Sequence, residues 1–342
     1  MTTLHGGSLL TGLVLTAMTA VSWAADAPSD SVKIRNLMVD FWAFQDEVPT
    51  LKKADRILRR FREQIIDPNR DIYSKGEFRD AITDAGIASY LREVGSDLPQ
   101  MRSMSANLEL RTREVVARFK QQFPRFDGRV TIVYLPSLHS FDAQYTRILD
   151  QPTLLFGLDA IARFRGRDVD FDVLLAHELF HAHHARMNAS LYREAPTALY
   201  ARIWMEGLAA YASELVNPQA SSLQIIGDTG APIDRSPALV GPLAEMIRVS
   251  LDSVDPTDQV KFLTYTADTG VPRRSGDLVG YQIAKALSAK TTLSELIALR
   301  GGKLRNLMGK QLEQMSAAYL AKQGGPASSE SAAVQTAETF PK

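Results

Sequence analysis

The sequence predicts an α+β fold that is predominantly helical: a small mixed β-sheet beside one buried helix, with a helical region ahead of both. Three observations predict it. Most periodic segments repeat apolar residues at spacings of three and four, the signature of an amphipathic helix. Only two short runs carry the β-branched and aromatic concentration of strands. And 342 residues at 45% apolar and 23% charged supply a substantial core and argue against wholesale disorder.

Composition also excludes. Lysine plus arginine equals aspartate plus glutamate at 39 each, so no net field draws the chain to nucleic acid or to an anionic membrane. With no cysteine there is no disulfide and no lipid-modified cysteine. A metal site in this chain must therefore use His, Asp or Glu.

Along the chain, residues 9–21 form an apolar run shorter than a membrane span, with His5 where a lysine or arginine is usual ahead of it. Ser22 and Ala24 follow as the small residues of a cleavage site, so residues 1–24 read as an export signal cut after Ala24. The mature protein is then expected to be periplasmic or secreted, without stable membrane insertion. Residues 25–128 read as a helical region. Leu51, Ala54, Leu58, Phe61 and Ile65 share one stripe, as do Met101, Met104, Leu108, Val115 and Phe119. The runs at 129–135 and 153–159 read as strands. Asp170 or Asp172 can cap the next helix, residues 171–187, which is apolar nearly all round and hence buried. Further helices are expected from Pro196 to Val216 and over 236–251, 277–288, 292–300 and 303–322, all within a second region spanning 129–322. The polar, aperiodic tail 323–342 reads as disordered.

The buried helix carries LLAHELFHAHHAR, four of the six histidines in the chain. His177 and His181 lie four apart, one turn along one face, so two imidazoles can converge on one zinc ion. Glu178 is one position round from His177, placed to act as general base on a water rather than as a ligand. Satisfied core histidines are the bland alternative. His184 shares the face of the pair, but three side chains stacked on one rigid helix do not converge on one ion. His183 and His184 read as surface residues or as supports behind the ligands. The H-E-x-x-H-x-x-G-x-x-H extension is absent, since its last two defining positions are His184 and Met187. The third ligand must come from another segment. Glu206 in WMEGLAAY is the candidate, because a carboxylate in a mainly apolar helix needs a cation beside it. Zinc is one such cation and Arg202, four residues back, is the alternative. Gly207 leaves room for a second helix to approach.

His177-Glu178-x-x-His181 followed by Glu206-Gly207-x-Ala209-x-Tyr211 resembles the gluzincin metallopeptidases, the broad thermolysin-like superfamily, over roughly residues 130–287. The E-G-x-A-x-Y form is similar to that of aminopeptidase-type members and of bacterial families described as zinc-dependent proteases. The resemblance implies a zincin-like domain over 129–322, with Zn2+ held by His177, His181 and Glu206, water at the fourth position and Glu178 as base. It also implies a strand that pairs with extended substrate, for which residues 153–159 are the candidate. Thermolysin-type members place an aspartate four residues after the third ligand, behind the first histidine. Here that position is Ala210, so the histidines must be oriented by a residue that the sequence does not identify.

Tyr281, which follows Gly280, and Tyr211 are candidate donors to a developing oxyanion, with a core tyrosine the alternative for each. Arg273 and Arg274 read mainly as a solvated loop, with binding of a substrate carboxylate the alternative. The expectation is an exported zinc metallopeptidase with a peptide or protein substrate. An endopeptidase is favoured over an exopeptidase, since no group for a free α-amine is visible. A zinc-binding structural or interaction module of the envelope, and a zinc hydrolase of a non-peptide amide, are the alternatives.

Overall fold

The structure is a computed structural model and describes residues 32–165, 169–194, 198–227, 236–264 and 270–323. The expected export signal, Pro196 and the tail beyond Gln323 lie outside the described residues. No helix among the described residues is long and apolar enough to cross a membrane.

Helices dominate, beside one four-stranded mixed sheet, as the spacing of apolar residues predicts. The N-terminal region is not wholly helical, however. It opens with strand β1 (Lys33–Asn36) before helices α1 (Met38–Glu47), α2 (Ala54–Phe61), α3 (Arg70–Tyr73), α4 (Asp84–Glu93), α5 (Leu98–Ser105) and α6 (Leu108–Gln122). The stripe at 51–65 buries Phe61 and Ile65 as expected. The stripe at 101–119 is broken into α5 and α6 at Asn107, whose φ of 55° is left-handed. Asparagine tolerates that conformation better than most residues, which ends one helix without a glycine.

The remaining strands are β2 (Thr131–Leu135), β3 (Ala143–Ile148) and β4 (Gln151–Gly157), in the spatial order β1-β2-β4-β3. β1, β2 and β4 are parallel, and β3 runs antiparallel to β4. The strand expected at 153–159 to meet substrate is therefore internal, hydrogen-bonded on both sides. The edge strands are β1 and, on the far side of β4, β3. The half-exposed AQYTRI of β3 lacks an apolar face, and its hairpin turn uses Leu149 and Asp150, at φ 46° and 62°, in place of Asn-Gly. Both facts hide it from a pattern search.

After β4 the chain continues through α7 (Leu158–Phe164), α8 (Phe171–Met187), α9 (Ala189–Glu194), α10 (Leu199–Val216), α11 (Ser222–Ile226), α12 (Ser236–Val249), α13 (Pro256–Leu263), α14 (Ser275–Ser288), α15 (Leu293–Ile297) and α16 (Gly301–Gln323). Of the two possible caps on α8 it is Asp170 that accepts from the backbone N–H groups of Asp172 and Val173. Asp172 instead accepts from Arg111 at 2.8 Å and Arg118 at 3.0 Å, tying the first turn of α8 to α6. His183 and His184 are not surface residues: they are 4% and 0% exposed. The helix is enclosed on every side, so His183 packs among Phe119, Phe123 and Phe126 while His184 donates from Nε2 to the Ile297 carbonyl at 3.1 Å.

The space beside Gly207 is filled as its lack of a side chain suggests. A Cβ added there would lie 2.0 Å from the Gly280 carbonyl carbon, and one added at Gly280 would lie 2.3 Å from the Ile203 carbonyl oxygen. Helices α10 and α14 thus cross backbone to backbone, one residue from Glu206.

Candidate metal centre

Helix α8 supplies His177 and His181 on adjacent turns, and α10 supplies Glu206. Their ligand atoms meet. His177 Nε2 lies 3.0 Å from His181 Nε2, and Glu206 Oε2 lies 3.2 Å from the first and 3.4 Å from the second. Two nitrogens and a carboxylate oxygen around a tetrahedral ion, each about 2.0–2.1 Å from it, must stand about 3.4 Å apart. The three separations, 3.0–3.4 Å, reach this spacing or fall short of it by at most about 0.4 Å, and the cluster can hold a metal ion. Glu206 therefore finds its positive partners in the imidazole pair and any bound cation, and not in Arg202.

The electrostatics suit such a cluster. Burial holds His177 down at about 4, against an opposing pull from Glu206, so its ring is neutral and its lone pair free. At His181 burial is outweighed by Glu206 and Glu178, which raise it. At Glu206 burial is outweighed by the two histidines, which hold the carboxyl well below its usual range. Without a cation, these shifts favour an ion pair, with the proton on His181 and Glu206 ionised, and a metal ion replaces that proton.

The residue that orients His181 is Tyr192, on α9. Its hydroxyl donates to the His181 carbonyl oxygen at 3.0 Å and accepts from His181 Nδ1–H at 3.3 Å. This places the proton on Nδ1 and turns Nε2 to the centre. Eleven residues separate Tyr192 from His181, and nothing in YRE marks it, so only the fold reveals it.

Glu178 is 7% exposed and lines the cleft beside the cluster. None of the described residues hydrogen-bonds to its carboxyl, and burial raises it to about 7. The carboxyl is thus held next to the ligands without joining them. The cleft measures 480 Å³ and is bounded by the start of β3, from Ala143 to Tyr145, as well as by the cluster. Tyr145 also borders a second cavity of 350 Å³ farther along β3.

Two paired arginines close one side. Arg165 binds Asp142 at 2.7 Å, and Arg274 binds Asp277 and donates to the Ile226 carbonyl at 2.8 Å. Arg274 is 5% exposed and so is not part of a solvated loop. Burial pushes Asp142 up, but Arg165 outweighs it and leaves the carboxyl below its usual range. Burial raises Asp277 to about 6 against the pull of Arg274. Arg202 also lines the cleft, one helical turn before Glu206. Its position was readable from the four-residue spacing, but its role was not.

The structure does not bring Tyr281 to the cleft. It lies in the middle of α14, not at its start, and its hydroxyl donates to Glu214 at 2.9 Å and accepts from Lys285 at 3.0 Å. Glu214 is eight residues beyond Glu206, about 12 Å along α10. The glycine before Tyr281 serves the helix crossing. Tyr211 is also absent from the cleft wall.

No family model, curated protein or solved structure matches the chain.

Proposed function

We propose that the chain is a zinc metallopeptidase of gluzincin type with a zincin-like domain, exported to the periplasm or beyond. The observation that carries the reading is the set of three ligand atoms at tetrahedral spacing with one carboxyl, Glu178, left free beside them. His177, His181 and Glu206 would hold the ion. When bound, zinc supplies a Lewis acid that polarises a carbonyl and acidifies water. Glu178 accepts the proton of the attacking water and passes it to the leaving amine. Tyr192 keeps His181 in the ligating tautomer. The free edge of β3 offers backbone N–H and C=O groups to an extended peptide along the cleft, which favours a peptide over another amide. A structural zinc site is closed by four protein ligands. Among the described residues three converge and a base stands by, which supports hydrolysis over a structural module. The apolar run ahead of Ala24 supports export.

The test is cleavage of a peptide library by zinc-loaded protein, its loss on chelation and its return with zinc. Glu206→Ala removes one of three ligands and is expected to lower bound zinc, measured by atomic absorption after gel filtration, from about one equivalent to well below. Unchanged zinc content would remove Glu206 from the site.

Tyr192→Phe deletes one hydroxyl and nothing else. Zinc affinity is expected to fall about 10- to 100-fold, the usual cost of losing a group that orients a ligand. A competitive titration against a chromophoric chelator reads this out. Equal affinities would show that His181 is held without Tyr192.

A further inference from the structure

The charges around the cleft are unevenly matched. On one side, Arg165 is offset by Asp142 and Arg274 by Asp277. In the centre, a divalent ion would offset Glu178 and Glu206. Arg202 lines the same cleft together with His181 and Tyr192. Among the described residues no carboxylate or carbonyl pairs with its guanidinium, and its Nε is shut from solvent with no partner. Its terminal nitrogens are not shut off in this way and have no partner among the described residues, so they are the donors the side chain offers to a ligand in the cleft it lines. The planar fork of a guanidinium fits a carboxylate at two points.

The adjoining cavity that Tyr145 also borders holds Arg129, Arg147 and Arg186; Arg129 and Arg186 share the single carboxylate of Asp127, and Arg147 donates to the Asp150 carbonyl, so the charge of the cavity is net positive. Negative charge on a ligand is thus favoured at the His181 end of the groove, while the paired side is neutral.

We infer that Arg202 is the anchor for a carboxylate of the substrate, and that bound peptides lie with their negative group toward the His181 end. The inference deepens the peptidase reading and rests on it for the substrate class. The carboxylate has two possible sources, a peptide C-terminus or an Asp or Glu side chain.

The experiment is calorimetric titration of zinc-loaded Glu178→Gln protein, which binds without turnover. The probes are three matched hexapeptides: one with a free C-terminus, its C-terminal amide, and the amide with one internal glutamate. At least one carboxylate-bearing peptide is expected to bind about tenfold or more tightly than the neutral amide. Whichever gains identifies the source. Adding Arg202→Met is expected to abolish that preference, with zinc content and neutral-peptide affinity unchanged, and Arg202→Lys to restore part of it. Absence of any preference, or a preference that survives Arg202→Met, overturns the inference. The titrations are repeated after chelation, where the preference should persist. Preference without any zinc-dependent cleavage by the parent protein would sink the peptidase reading and leave the anchor standing. Cleavage without preference would do the reverse.

Discussion

Glu178→Gln is expected to leave zinc bound near one equivalent while peptide hydrolysis falls about 10²- to 10⁴-fold, the usual contribution of a positioned acid–base group. The substitution keeps the size of the side chain and removes only its ability to take a proton. Glu178 has no hydrogen-bond partner among the described residues, so the amide breaks no contact. Burial already disfavours the ionised carboxyl, holding it near 7. A neutral amide in the same place carries no ionisation cost, so the thermal midpoint of the metal-free protein is expected to be unchanged or higher. That combination separates a chemical role from a structural one. Single-turnover assays beside metal analysis and a melting curve measure all three quantities. Residual activity near that of the parent protein would remove Glu178 as base.

The second large effect is on the scaffold. Gly207→Ala would place a methyl group 2.0 Å from the carbonyl carbon of Gly280, and Gly280→Ala one 2.3 Å from the carbonyl oxygen of Ile203. Backbone cannot swing aside as a side-chain tip can, so α10 and α14 must separate. Overpacking a filled interior costs about 1–3 kcal/mol, and a clash with main chain belongs at or above the upper end. The melting temperature is expected to fall by several degrees in either variant. Because Glu206 precedes Gly207 on α10, zinc affinity is expected to fall as well, about tenfold or more. Gly302→Ala, on α16, is the control: nothing lies within 4 Å of its added methyl. It is expected to be neutral or slightly stabilising, through a smaller unfolded ensemble. Equal melting temperatures for all three variants would show that the crossing tolerates a wider gap.

The ligand set was legible because its logic is local. His177, Glu178 and His181 occupy one helix, where spacing alone fixes which side chains share a face. Glu206 was legible for another reason, the cost of an acid in an apolar helix. Residues that act across the fold left no such trace. Tyr192 is recognisable only once α9 folds back on α8, and Asp142 and Arg165 meet only when β3 and the end of α7 are in place. Tyr281 shows the opposite failure. Its place after a glycine made it a candidate oxyanion donor, whereas that glycine permits a helix to approach and the phenol lies about two turns from the cluster. Strand placement failed at β3 and β1 because short, half-buried edge strands carry little apolar pattern. β4, the apolar run that did stand out, was for that reason an interior strand and not the free edge.

The pairing of β1 with β2 has a kinetic consequence. Lys33 aligns with Thr131, about a hundred residues later, and six helices lie in the intervening loop. Closing so long a loop is entropically slow, and parallel partners cannot form by a local turn. As the chain emerges during synthesis, its first strand must wait until the whole N-terminal third and β2 itself are available. The four-stranded sheet should accordingly assemble late, in milliseconds to seconds rather than microseconds, with helix α8 and its histidines able to coil well before the sheet beside them is complete.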